Sequence, residues 1–252
     1  MIPYLLLSLL APATTGPQVA YTLDHGGLIR GDASRKEIAL VFTGGDFGEG
    51  TAHVLNVLKS QKIHASFFVT GNFLRKPEYV PLIKRALAEG NYVGPHSDRH
   101  PLYCSWDDRE KTLITRGDFE TDLRKNIADL RALGALADRD KPVYFIPPYE
   151  WFNREQVDWA RSMKVVLFNF TPGSGSNRDY VPETDKKFTP SKKIVAHVLA
   201  YEMKDPHGLN GFLLLVHLGS ERKDKTFDLL EPLVVELKRR GYGFERIDEL
   251  LK

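Results

Sequence analysis

EIALVFTGGD, residues 37–46, carries no polar side chain from Ile38 to Phe42 and then ends in two glycines and an acid. A strand with one face in water alternates apolar and polar residues. A run that is apolar throughout must be covered on both faces, the habit of parallel strands joined by crossover helices. In such folds the chemistry collects at the carboxyl ends of the strands. Asp46 therefore stands where a functional carboxylate is expected.

Six further segments repeat the pattern: ASFFVTG from Ala65, NYVGPHS from Asn91, VYFIPP from Val143, KVVLFNF from Lys164, GFLLLVHLG from Gly211 and GFERI from Gly243. Helical periodicity fills the intervals at 51–61, 77–89, 115–133, 153–163, 191–204 and 225–240. Asn153 and Ser191 stand at N-cap positions, and Gly90, Gly134 and Gly241 close three of the helices. About seven βα repeats predict an α/β fold, either a barrel or an open doubly wound sheet. Residues 17–252 are expected to form one domain. The connections 98–114 and 172–190 are longer than a βα loop needs and are expected to wall a cleft.

The chain has 252 residues, 42% of them hydrophobic, which suffices for a full core. Its 35 basic and 33 acidic side chains leave a net charge of +2 with no basic stripe, which argues against a nucleic-acid partner. A lone cysteine, Cys104, excludes intrachain disulfides and cysteine-rich zinc modules. Residues 1–16 read as a signal peptide or N-terminal extension. The apolar run Tyr4–Ala11 leads into Ala11-Pro12-Ala13, a small-residue cleavage pattern, although Lys and Arg are missing before it. The run is too short to span a bilayer, and no other segment approaches that length. The expected location is outside the cytoplasm: periplasmic, cell-surface or secreted.

The polar residues that follow the strands form a coherent set: Asp46 and Glu49, then His96 and His100, Tyr149 and Glu150, Asn169 and Thr171, and His217. One carboxylate with two imidazoles leaves an open coordination position on zinc, the arrangement that activates water and polarises a carbonyl. Asp46, His96 and His100 could supply it. Two histidines four residues apart also occur in solvated turns, but this pair sits at a strand end beside an acid-bearing glycine loop. Pro101 disfavours a helical His100, so a single turn is expected there. His217 emerges from FLLLV and reads either as a general acid or as a satisfied core histidine.

In order and spacing these motifs resemble the NodB-type polysaccharide deacetylases, carbohydrate esterase family 4, from about Glu37 to the C-terminus. IALVFTGGD is similar to the family's strand ending T-F-D-D. HASFFVTGNF is similar to its second strand, HSDRH to its metal motif, PPY at Pro147–Tyr149 to R-x-P-Y, and LLLVHLG to its final histidine motif. The resemblance implies a deformed (β/α) barrel with fewer than eight repeats. It also implies a divalent cation, zinc, held by Asp46, His96 and His100, and removal of N- or O-linked acetyl groups from a carbohydrate. His217 would protonate the leaving group, and the Tyr149 N–H would help hold the oxyanion.

The departures are as informative. With TGGD laid on T-F-D-D, Asp46 takes the metal position and Gly45 replaces the general-base aspartate. In the other register, with Phe42 on the family phenylalanine, both carboxylates are absent. Ile146 stands where R-x-P-Y has its arginine, so the base and its cationic partner are missing together. An arginine left without its carboxylate would be a poorly compensated buried charge. Asn169 and Thr171 replace aspartates that tune the catalytic histidine. Glu150 is the first candidate for a substitute base, with Glu49 and Asp98 as alternatives. Tyr103, Trp106, Trp151, Phe152 and Tyr180 are candidates for stacking on sugar rings. Two other readings stay open: a catalytically impaired carbohydrate-binding homologue, and a glycosidase using Asp46 with Glu150.

Overall fold

A computed structural model describes residues 21–252, so the N-terminal segment read as a leader, residues 1–16, lies outside the described residues. The elements run β1 (Thr22–Asp24), β2 (Gly27–Arg30), β3 (Glu37–Gly44), α1 (Thr51–Gln61), β4 (Ser66–Val69), α2 (Gly71–Leu74), α3 (Val80–Ala88), β5 (Tyr92–Pro95) and α4 (Arg116–Ala132). They continue with β6 (Val143–Phe145), α5 (Arg154–Ser162), β7 (Val165–Leu167), α6 (Ser191–Lys204), β8 (Phe212–His217), α7 (Leu230–Arg239), β9 (Gly243–Phe244) and α8 (Ile247–Leu250). All seven expected strands are present, the last shortened to two residues.

Residue parity explains why the strands lack polar positions. Ile38, Leu40 and Phe42 join a cluster with Val54 and Leu58 of α1 and Leu233 and Leu237 of α7, outside the sheet. Ala39 and Val41 join a second cluster with Phe68, Phe168, Leu213 and Leu215 on the inner face, closed at one end by Ile247, Leu250 and Leu251. Both faces are apolar because each is covered. The same alternation carries Thr43 of β3 and His217 of β8, which are register partners, onto the inner face at the carboxyl end.

The parallel ladder runs β5-β4-β3-β8, with β9 on β3, while β6 and β7 pair separately. An antiparallel hairpin, β1–β2, occupies the opening between β7 and β8. There the Asn169 N–H donates to Leu28 O at 2.7 Å and the Gly31 N–H to Gly211 O at 2.7 Å. Between β5 and β6 the Tyr144 N–H donates to the Tyr92 hydroxyl oxygen at 2.9 Å. This is the deformed (β/α) arrangement, with an interrupted ladder. The hairpin was not anticipated, because its strands of three and four residues are too short for a periodic signal.

Asn153 caps α5 in a reciprocal box with Gln156, and Gly90, Gly134 and Gly241 all take positive φ after their helices. Ser191 corrects its expected N-cap role. Pro190 is the cap, and the Ser191 hydroxyl donates instead to Asp224 O at 3.0 Å. At Gly94 a Cβ would lie 2.6 Å from the Phe68 ring and 2.7 Å from the Tyr92 ring. Gly94→Ala is therefore expected to lower stability by about 1–3 kcal/mol. The urea midpoint should fall with the slope unchanged.

Candidate active site

The strand ends open into a cavity of about 400 Å³ whose walls include His96, His100, Glu150 and His217. His96 Nδ1 lies 2.9 Å from the Ile146 carbonyl, which can only accept, so Nδ1 carries the proton and Nε2 presents a lone pair. His100 has φ +59°, consistent with the non-helical turn expected before Pro101. Its Nε2 lies 3.4 Å from the Tyr149 N–H and so accepts as well. The two Nε2 atoms, neither carrying a proton, are 3.2 Å apart. Burial holds the His96 pKa well below the usual imidazole range, and burial, partly offset by Asp46, brings His100 to about 4. Two neutral, unprotonated nitrogens at this separation fit a shared cation once His100 gives up its contact with the Tyr149 N–H. Adjacent ligands on a tetrahedral zinc with bonds of 2.0–2.1 Å stand about 3.3 Å apart.

Asp46 is not gathered with them. It lines the cavity, but it is exposed two residues past the end of β3, on a glycine-flanked bend, where its carbonyl accepts from Lys76. Among the described residues no three of His, Cys, Asp and Glu form a group that could hold a metal ion. The carboxylate beside the imidazoles is instead Glu150, with Oε1 3.9 Å from His96 Nε2 and the side chain 9% exposed. Burial pushes its carboxyl up to about 7, partly countered by the charge on His217. Tyr149 and Glu150 sit in a short 3-10 turn, Pro148–Glu150, and both have left-handed backbones, φ +58° and +52°. Ser97 and His100 share this rare conformation, which therefore concentrates at one rim.

His217 has a partner that the sequence reading missed. Asp179 Oδ1 lies 2.6 Å from His217 Nδ1, and its Oδ2 accepts the His217 N–H at 2.8 Å. Burial alone would lower the His217 pKa, but the Asp179 charge and hydrogen bond overcome it and raise the imidazole to about 9. Asp179 lies 38 residues upstream in the 172–190 connection, so neither spacing nor strand position marks it. Asn169 and Thr171 do other work: Asn169 Nδ2 donates to Glu150 O, and Thr171 Oγ1 donates to Ile29 O at 2.5 Å.

The alternative bases are committed elsewhere. Asp98 is buried and pairs with Arg75 at 2.7 Å, and Glu49 pairs with Lys225 and accepts the Ser220 N–H. Of the aromatic candidates, Tyr103 and Phe152 are fully buried and correct their expected sugar-binding role. Trp151 is half-buried, stacks on Trp106 at 5.4 Å and donates its indole N–H to Ser105 O. Trp106 and Tyr180 remain exposed on the cavity wall, joined by Phe47, which the sequence reading did not single out.

Comparison with known proteins gives this geometry a lineage. A polysaccharide deacetylase family model matches residues 30–168, more than half of the chain. An uncharacterized 30.6 kDa protein of Geobacillus stearothermophilus is 30% identical over 227 residues, covering 90% of this chain and 75% of that one. A peptidoglycan-N-acetylglucosamine deacetylase of Bacillus cereus is 28% identical over 222 residues, covering 87% and 90%. Among solved structures, a CE4 family pseudoenzyme from Bacillus anthracis superposes with a TM-score of 0.67 at 23% identity, covering 91% of this chain and 70% of that one. With the converging imidazoles at one strand end and an aspartate-backed histidine at another, the chain belongs to the polysaccharide deacetylase family, carbohydrate esterase family 4.

Proposed function

We propose that the protein removes acetyl groups from a polysaccharide outside the cytoplasm, with the N-acetylated sugars of peptidoglycan as the first substrate class to test. The supporting observation is that a buried carboxylate raised to about 7 and an imidazolium raised to about 9 share one cavity with two converging neutral imidazoles. A base that titrates near neutrality beside an acid that keeps its proton above it suits proton transfer in both directions.

His96 and His100 would hold a divalent cation, zinc by its preference for imidazole. The ion would contribute Lewis acidity toward water and the acyl oxygen. Glu150 takes the proton of the attacking water as its oxygen bonds to the acyl carbon. The Tyr149 N–H donates to the oxygen that becomes negative. His217 gives its proton to the sugar nitrogen as the carbon–nitrogen bond breaks, leaving acetate and a free amine. Asp179 keeps the imidazole oriented and charged for that step. The exposed faces of Trp106 and Tyr180 offer stacking surfaces for sugar rings.

Acetate release from N-acetylated oligosaccharides, measured beside metal content, tests this scheme. His100→Ala is expected to weaken zinc binding at least about 10²-fold and to abolish turnover; full activity and retained metal would overturn it. A second reading, saccharide binding without turnover, is favoured by the exposed Asp46. Glycan binding without acetate release by the zinc-loaded protein would select it.

A further inference from the structure

Asn169 follows β7 and is buried, and its backbone N–H and both ends of its side-chain amide have partners. Its backbone N–H donates to Leu28 O, and its side-chain oxygen accepts the Phe170 N–H at 2.9 Å. That second bond decides which way the amide faces, because only the oxygen can accept from an N–H. The amide nitrogen is thereby turned toward the Glu150 carbonyl, to which it donates at 2.7 Å. Glu150 and Tyr149 form two consecutive non-glycine residues with left-handed φ, a conformation that persists only where surrounding contacts over-determine it. Within the turn, the Glu150 N–H donates to Pro147 O at 3.0 Å and the Trp151 N–H to Pro148 O at 3.3 Å. The Asn169 bond ties the turn from outside to the barrel wall.

We infer that Asn169 is a positioning residue: by holding the Glu150 carbonyl it keeps the left-handed pair in place, aiming the Tyr149 N–H at His100 and the Glu150 carboxylate into the cavity. The inference rests on the roles proposed above for Glu150 and Tyr149. It also gives a physical reason for an amide where the resemblance places an aspartate. His217 already has Asp179, and a carboxylate at position 169 would set an acceptor against the Glu150 carbonyl, where a donor is required.

The test compares the wild type with Asn169→Asp, which keeps the shape and removes the donor, and with Asn169→Ala. Both are expected to lower kcat about 10²-fold, because the reacting groups are misplaced. NMR of the zinc-free protein supplies a readout independent of turnover. The amide shifts of Tyr149 and Glu150 and their coupling constants should leave left-handed values in both variants, while those of Asp179 and His217 stay as in the wild type. Retained left-handed signals with wild-type kcat would overturn the inference, as would a loss of melting temperature with kcat per folded molecule unchanged. If the wild type releases no acetate, the deacetylase reading fails, and the backbone signals of the two variants still decide the role of Asn169.

Discussion

Exchanging Glu150 for glutamine is expected to reduce kcat/KM for acetate release by about 10²- to 10⁴-fold, the range for a positioned general base. The change keeps size and shape and removes only the proton-accepting charge, so the fold and glycan binding should persist. A base must be deprotonated to act, so wild-type activity should rise with pH as the Glu150 carboxyl titrates, at about 7 in the metal-free site and lower once a cation sits on the neighbouring His96. The variant should lose that limb. Stability should move the opposite way. A carboxyl whose folded pKa lies above its unfolded value is protonated longer in the folded state, so it subtracts stability as pH rises from the ordinary carboxylate range through about 7. In zinc-free protein above that range, Glu150→Gln should melt higher than the wild type and below pH 4 should melt alike. A variant with wild-type turnover would remove Glu150 from the mechanism and return attention to Asp46.

Asp179→Asn should have an effect of similar size, up to about 10⁴-fold in kcat, because an asparagine neither fixes the useful tautomer nor stabilises the imidazolium. The aspartate, through its charge and its hydrogen bond to Nδ1, holds His217 at about 9 against the opposing effect of burial. An acid must be protonated to act, so the wild type should lose activity as pH rises through about 9, and the variant should lose it at lower pH. The linkage has the same origin. A histidine raised in the folded state contributes stability that is fully present below its ordinary pKa of about 6.5 and is lost as pH rises through about 9. The stability difference between wild type and variant should therefore shrink across that window. A basic limb unmoved by the substitution would show that His217 is not the titrating acid.

Much of the scaffold was legible because the physics that writes it is local. Five apolar residues in succession, Ile38 to Phe42, require cover on both faces, and the period of two then carries Thr43 and His217 to the inner rim. The turn at His100 followed from Pro101, and the cap at Asn153 from its own side chain. Glu150 was a candidate base from its place beside Tyr149, yet nothing in PYEW states that its carboxyl is buried. An acid in such a segment has the same composition as a solvated loop.

The sequence alone determined the order of the seven strands from Glu37 onward and of the six longer helices between them, the rim on which the histidines emerge, and the kinship with the deacetylases, since each depends on residue pattern within a few turns of chain. Tertiary structure alone decided that Asp179 reaches His217 across 38 residues, that Asn169 grips Glu150 across 19, and that Glu150 rather than Asp46 stands beside His96. Those are matters of distance and desolvation, and an electrostatic environment comes into being only when remote segments exclude water from the same small volume.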